Sequence, residues 1–150
     1  MRSRLAIAAL AALLVPGLAG AQSSTPVWGP APPALPPGAR LAVMQGDPSQ
    51  SALFTIRLEL PDGYRLAAHW HPTDEHVTVI SGTFLVGMGD TLDATKTIAL
   101  PPGGFITAGA NMRHYAIARG RTVVQVHAMG PFALTYVNPK DDPRNGLSSR

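Results

Sequence analysis

The chain has 150 residues, 45% of them hydrophobic, with 12 Lys+Arg, 9 Asp+Glu and no cysteine. That length supports one hydrophobic core rather than two, and the missing thiols exclude disulfides and an anchor on an acylated cysteine. The formal charge of +3 includes Arg2 and Arg4; with those removed, 10 basic face 9 acidic residues, which leaves no basic stripe for nucleic acid or anionic lipid.

Residues 1–21 have the layout of an export signal. Arg2 and Arg4 supply the positive end, Leu5 to Val15 the apolar stretch, and Ala19-Gly20-Ala21 the small-residue cleavage site. The apolar stretch is too short for a bilayer, which needs about 20 residues. The expectation is a periplasmic or secreted protein with no membrane association once the signal is removed. Residues 22–40, QSSTPVWGPAPPALPPGAR, form a Pro-rich N-terminal arm that suits neither a helix nor a central strand. Two readings of it are open: a disordered linker, or an arm docked through Val27, Trp28 and Leu35. Such arms often cross to a neighbouring subunit, so a homodimer is expected.

From Leu41 the pattern is that of strands. Ala52 to Leu60 alternates, with Phe54, Ile56, Leu58 and Leu60 on one face. Short strands are predicted over 65–71, 76–81, 83–88, 97–100, 105–107, 114–118, 122–128 and 134–137. Each is bounded by Gly, Pro, Asn or Asp. Many short strands with Gly/Pro turns predict an all-β sandwich or barrel over residues 41–137. The polar tail, 138–150, is expected to fray.

The chemistry lies in GYRLAAHWHPTDEHVTVISG, residues 63–82, and in GANMRHYA, which holds His114. Side chains alternate faces along a strand. His69 and His71 therefore share a face, on which Arg65 and Ala67 are also expected, opposite Leu66, Ala68 and Trp70. After the turn, Glu75, Val77 and Val79 share a face, and His76 takes the other. His69, His71 and Glu75 can meet inside a barrel, and His114 can close the set from a later strand. Three imidazoles and one carboxylate suit Fe(II), Mn(II), Ni(II), Co(II) or Zn(II) and leave positions open for a substrate. In TVVQVHAM, His127 shares a face with Val123 and Gln125. Facing the lumen, it would act beside the metal as a hydrogen-bond donor or general base; facing out, it would pack. Phe84, Met88, Phe105, Met112 and Tyr115 supply apolar bulk near the core and mouth, and Arg65 is a candidate partner for an anionic group at the rim. No phosphate-cradling loop or nucleophile elbow is found.

Gly63, His69, His71, Glu75 and Gly82 match the first motif of the cupin superfamily without a gap, and the chain resembles that superfamily over residues 40–137. The second segment, GGFITAGANMRHYAIA, matches through Gly104, Gly109 and His114. It has Gly109 or Thr107 where proline is usual, a longer spacing to the histidine and no following Asn. The stretches LPPGARLAVMQGDPSQSALFTIRLELPDGY and VVQVHAMGPFALTYV are similar to small single-domain bacterial cupins of unassigned function. The resemblance implies a double-stranded β-helix (jelly-roll) barrel with an extended N-terminal arm. It also implies metal ligation by His69, His71, Glu75 and His114. An oxygenase, dioxygenase or decarboxylase acting on a small molecule follows as the expected oxidoreductase-type function, with a non-catalytic metal- or ligand-binding module as the alternative.

Overall fold

The computed structural model describes residues 25–146; the expected signal segment lies outside them. Nine strands build one continuous antiparallel sheet: β1 (Gly29–Pro30), β2 (Arg40–Gln45), β3 (Leu53–Leu60), β4 (Arg65–Trp70), β5 (Glu75–Met88), β6 (Ile98–Leu100), β7 (Phe105–Ala108), β8 (His114–Met129) and β9 (Thr135–Tyr136). No helix among the described residues is long and apolar enough to cross a membrane.

The two long strands organise the barrel. The first half of β5 pairs with the second half of β8, from Glu75↔Ala128 to Val79↔Val124, and its second half pairs with the first half of β8, from Thr83↔Arg119 to Met88↔His114. Strands β3 and β2 extend one half, with β7 on the far side of β5. Strands β4 and β9 extend the other, with β6 across β5. The sheet thus curls into two facing halves joined through β5 and β8. Each long strand had been expected as two short ones broken at glycine. The glycines bend the strands without interrupting them: Gly82 has φ of 77° and Gly120 of 69°, and the register slips around Ser81. A side chain on Gly82 would bring its Cβ to 2.5 Å from the Arg121 carbonyl oxygen. The two strands pass too closely there for any residue but glycine.

The core fills the space between the halves. Phe54, Ile56, Val79, Val124 and Val126 are fully buried, which follows from the alternation along β3, β5 and β8. Strand β4 departs from simple alternation. Its pairing with β8 shifts between Leu66 and His69, a bulge that changes which face the odd residues occupy. Tyr64 and Leu66 face inward before the bulge, and His69 and His71 after it. Arg65, expected on the histidine face, is exposed instead.

The arm is ordered and packs on its own barrel. Strand β1 pairs with β2, Gly29 opposite Leu41, and the Arg40 guanidinium lies 5.9 Å from the Trp28 ring centre, within cation–π range. At the other end, Pro139–Asp141 and Pro143–Gly146 form 3-10 turns where fraying was expected. Arg144 holds them by bonding the Asp142 carboxylate at 2.7 Å and the Leu134 carbonyl at 3.2 Å.

Candidate metal centre

Three strand ends meet inside the barrel. His69 stands near the end of β4, directly opposite His114 at the start of β8. His71 follows β4, and the turn at 72–74 delivers Glu75 at the start of β5. All four are buried, with exposures of 1%, 5%, 3% and 8% respectively. His69, His71 and His114 each present one ring nitrogen, and these lie within 4.8 Å of one another. A Glu75 carboxylate oxygen lies 3.3 Å from His114 Nε2 and 3.6 Å from His71 Nε2. The structure therefore brings together all four residues singled out in the sequence.

Their hydrogen bonds set which nitrogen faces inward. His69 Nδ1 is 2.7 Å from the Ala67 carbonyl, His71 Nδ1 is 2.8 Å from that of Ala133, and His114 Nδ1 is 2.9 Å from that of Met112. A carbonyl only accepts, so each Nδ1 carries the proton and donates. In the neutral ring Nε2 is then a lone pair aimed at the shared centre, the arrangement seen for metal-binding imidazoles. His71 Nε2 is buried with no hydrogen-bond partner. Leaving such an acceptor unsatisfied costs about 1–3 kcal/mol, and a cation at the centre would satisfy it. The three-histidine group can hold a metal ion.

The electrostatics agree. Burial, with repulsion from His114 and His71, drives His69 down to about 3, so it stays neutral. Burial also lowers His71, against the pull of Glu75. For Glu75, burial acts upward, but the hydrogen bond from His114 and the neighbouring imidazoles outweigh it and hold the carboxyl below its usual range. For His114, burial acts downward and the Glu75 carboxylate more than reverses it, leaving the imidazole raised. The centre thus holds an anionic oxygen and two imidazoles kept neutral by burial, with His114 completing the nitrogen set once its Nε2 proton is displaced; such a mixed set suits a borderline divalent ion.

Behind this centre lies a cavity of about 110 Å³. Apart from the four polar side chains above and Tyr64, every residue lining it is apolar; Leu58, Leu66, Val77, Phe84, Ile106 and Val126 are examples. Phe132 stacks on His71, with ring centres 4.7 Å apart and planes at 15°.

His127 is a correction. It sits on the outer face of the sheet, because Val124, Val126 and Ala128 take the inner one. Its Nδ1 is 2.8 Å from Thr55 Oγ1, and its Nε2 is 3.3 Å from Gln125 Nε2. It lines no part of the cavity, so a role beside the metal has no geometric basis. His76 also faces outward as expected, 3.1 Å from Thr107 Oγ1. Phe105 is 57% exposed and lies against His76 outside the barrel. Of the apolar residues expected near the core and mouth, Phe84 lines the cavity, while Met88 and Met112 are exposed. Arg65 does not line the cavity.

Sequence reasoning named Leu35 as a docking residue of the arm but missed Tyr64, Tyr136, and Pro32 and Ala34, which join Leu35 in walling the cavity. Tyr64 donates to the Pro36 carbonyl at 2.7 Å, and Tyr136 to that of Ala34 at 2.8 Å. A signal was available: a tyrosine inside an apolar strand needs a partner for its hydroxyl when buried.

Comparison with known proteins agrees with this architecture. No family profile and no curated protein matches the chain. Solved structures do. A candidate acetylacetone dioxygenase from Methylibium petroleiphilum aligns with a TM-score of 0.61 at 19% identity, over 91% of this chain and all of the other. The polyketide cyclase RemF from Streptomyces resistomycificus aligns at 0.58 with 16% identity, over 73% and 78% of the two chains. An RmlC-like cupin from Shewanella frigidimarina aligns at 0.52 with 15% identity, over 63% and 78%. The chain therefore has the cupin fold, a double-stranded β-helix of the kind found in small bacterial cupins.

Proposed function

We propose that the protein is an exported metal-dependent enzyme of oxygenase type, which converts a small organic molecule at His69, His71, Glu75 and His114. The observation that carries the metal assignment is the buried, unpartnered His71 Nε2 beside two further imidazoles whose Nδ1 atoms are already committed to carbonyls. The residues fit a divalent transition ion, which when bound supplies a Lewis-acid centre and, for a redox metal such as iron, dioxygen chemistry. The chain's own residues do the rest. The three carbonyl contacts fix the imidazole orientations, Glu75 supplies the negative charge, and the apolar lining excludes water. That lining offers no Lys or Arg, which supports a substrate whose only charged or polar part is the end bound at the centre. The likeness to a candidate acetylacetone dioxygenase supports a small diketone-like molecule, with two carbonyl oxygens on carbons separated by one carbon. Export rests on the leader pattern of residues 1–21.

One observation favours a second reading, a non-catalytic metal- or ligand-binding module. Among the lining residues the only ionisable group outside the four is Tyr64, which burial pushes well above the usual tyrosine range, so the cavity holds no obvious general base. Oxygen uptake separates the two readings. The purified protein, its metal identified by elemental analysis, is assayed with diketones, flavonols, catechols and oxalate. Substrate-dependent oxygen consumption by at least one of them is expected; bound metal without turnover on any would establish the binding module instead.

A further inference from the structure

In the sheet order β1-β2-β3-β8-β4-β9, β2 lies toward one end of the path and β4 with β9 at the other. The segment from Ala31 to Pro37 bridges these two ends. It is joined covalently to β2 through Ala39, with the Ala31 amide on the Ala39 carbonyl at 3.3 Å. On the far side it is held by the tyrosine hydroxyls: Tyr64, just before β4, on the Pro36 carbonyl, and Tyr136 of β9 on that of Ala34. Both tyrosines are buried, and burial raises both phenols, Tyr136 to about 12. Each therefore remains a donor at neutral pH. Pro32, Ala34 and Leu35 contribute directly to the cavity lining, alongside His69 and His114. Tyr136 also pairs with His69 across the sheet, with ring centres 6.1 Å apart. The strap is thus a wall of the chamber that contains the metal centre.

We propose that this strap sets the length of the substrate's apolar part, with Leu35 as the specificity-determining side chain. The substrate class is a molecule with a compact oxygen-bearing head at the four polar residues and a short, uncharged hydrocarbon tail ending on the strap. This rests on the reading of the site given above. Three features support it. The strap supplies only apolar side chains to the chamber. No cationic residue lines the chamber to receive a charged tail. The volume of about 110 Å³, somewhat below that of a cavity of about 150 Å³ that binds benzene, limits the apolar part to a short one.

The test uses a ligand series that does not coordinate metal, so that the wall is read separately from the chemistry. Benzene, toluene, ethylbenzene, propylbenzene and butylbenzene are titrated calorimetrically into the full-length protein as purified. Affinity is expected to rise with tail length, by about fourfold per buried carbon, until the tail meets the strap, and then to fall. Leu35→Ala moves that maximum to a longer tail, and Leu35→Trp moves it to a shorter one. Tyr64→Phe, which removes only a hydroxyl, blunts the fall by freeing the Pro36 carbonyl. An identical maximum in wild type, Leu35→Ala and Leu35→Trp would overturn the proposal, as would the absence of binding by every member of the series. A maximum that moves as expected in a protein inert toward the oxygen-uptake panel keeps the strap and retires the oxygenase. An unmoved maximum in a protein that does consume oxygen overturns the strap and keeps the oxygenase.

Discussion

At the scale of single residues, the centre depends on protons being in the right places. An ion at the four side chains needs neutral Nε2 atoms and an ionised Glu75. His69, held near 3 by burial, meets that condition at any ordinary pH. His114 does not, because Glu75 raises it above the usual imidazole value despite its burial. A raised value means that the proton begins to occupy His114 at higher pH, so acid competes with the metal there first. Zinc affinity, measured by competition with a fluorescent chelator, is expected to fall as pH is lowered from above the usual imidazole range through it, by up to about tenfold per pH unit. A flat affinity across that window would show that His114 and Glu75 do not titrate as the geometry implies. The candidate ligands were legible because two histidines one residue apart and a carboxylate four later can reach one centre around a tight turn. The orientation of His127 was not read. Its parity becomes plain once 114–129 is one strand: His114 and His127 are an odd number of residues apart, so if His114 faces in, His127 faces out.

Irregularity accounts for most of what the sequence concealed at the scale of elements. Alternation predicted the inner faces of β3 and of the first half of β5, but bulges in β4 and β5 shift the face by one residue, and no residue type announces them. The β4 bulge matters most, since it places Leu66 and His69 on the same wall and sends Arg65 out to solvent. The bend of β5 is a demanding backbone position. Gly82 combines a φ of 77° with Thr122 packed against it, Oγ1 at 2.5 Å from where a Cβ would stand. Thr122 cannot easily yield, being fully buried and placed to donate to the Gly120 carbonyl at 3.0 Å. Gly82→Ala is expected to cost roughly 2–4 kcal/mol, combining backbone strain with overpacking, and to lower the melting temperature in thermal denaturation. A melting temperature equal to wild type would mean that the two long strands separate there without penalty.

For the molecule as a whole, the barrel closes around a chamber that no one stretch of sequence encodes. The all-β class could be read from strand spacing and the double-stranded β-helix from the motif. The arm left two readings open because proline-rich segments of this kind occur both as free linkers and as packed straps; its pairing with β2 and the tyrosines Tyr64 and Tyr136, both distant in sequence, decide between them. They tie it to its own barrel. Fold alone does not fix a reaction, so the chemistry of this barrel depends on its metal centre. A bound ion stabilises the folded state by mass action, by about 2.7 kcal/mol when its concentration is a hundred times the Kd. The most direct test is metal stoichiometry measured together with melting temperature, for wild type and for His71→Ala. The prediction is one ion per chain in wild type, and loss of both the ion and its share of the melting temperature in the variant. An unchanged stoichiometry in His71→Ala would contradict the assignment of this centre.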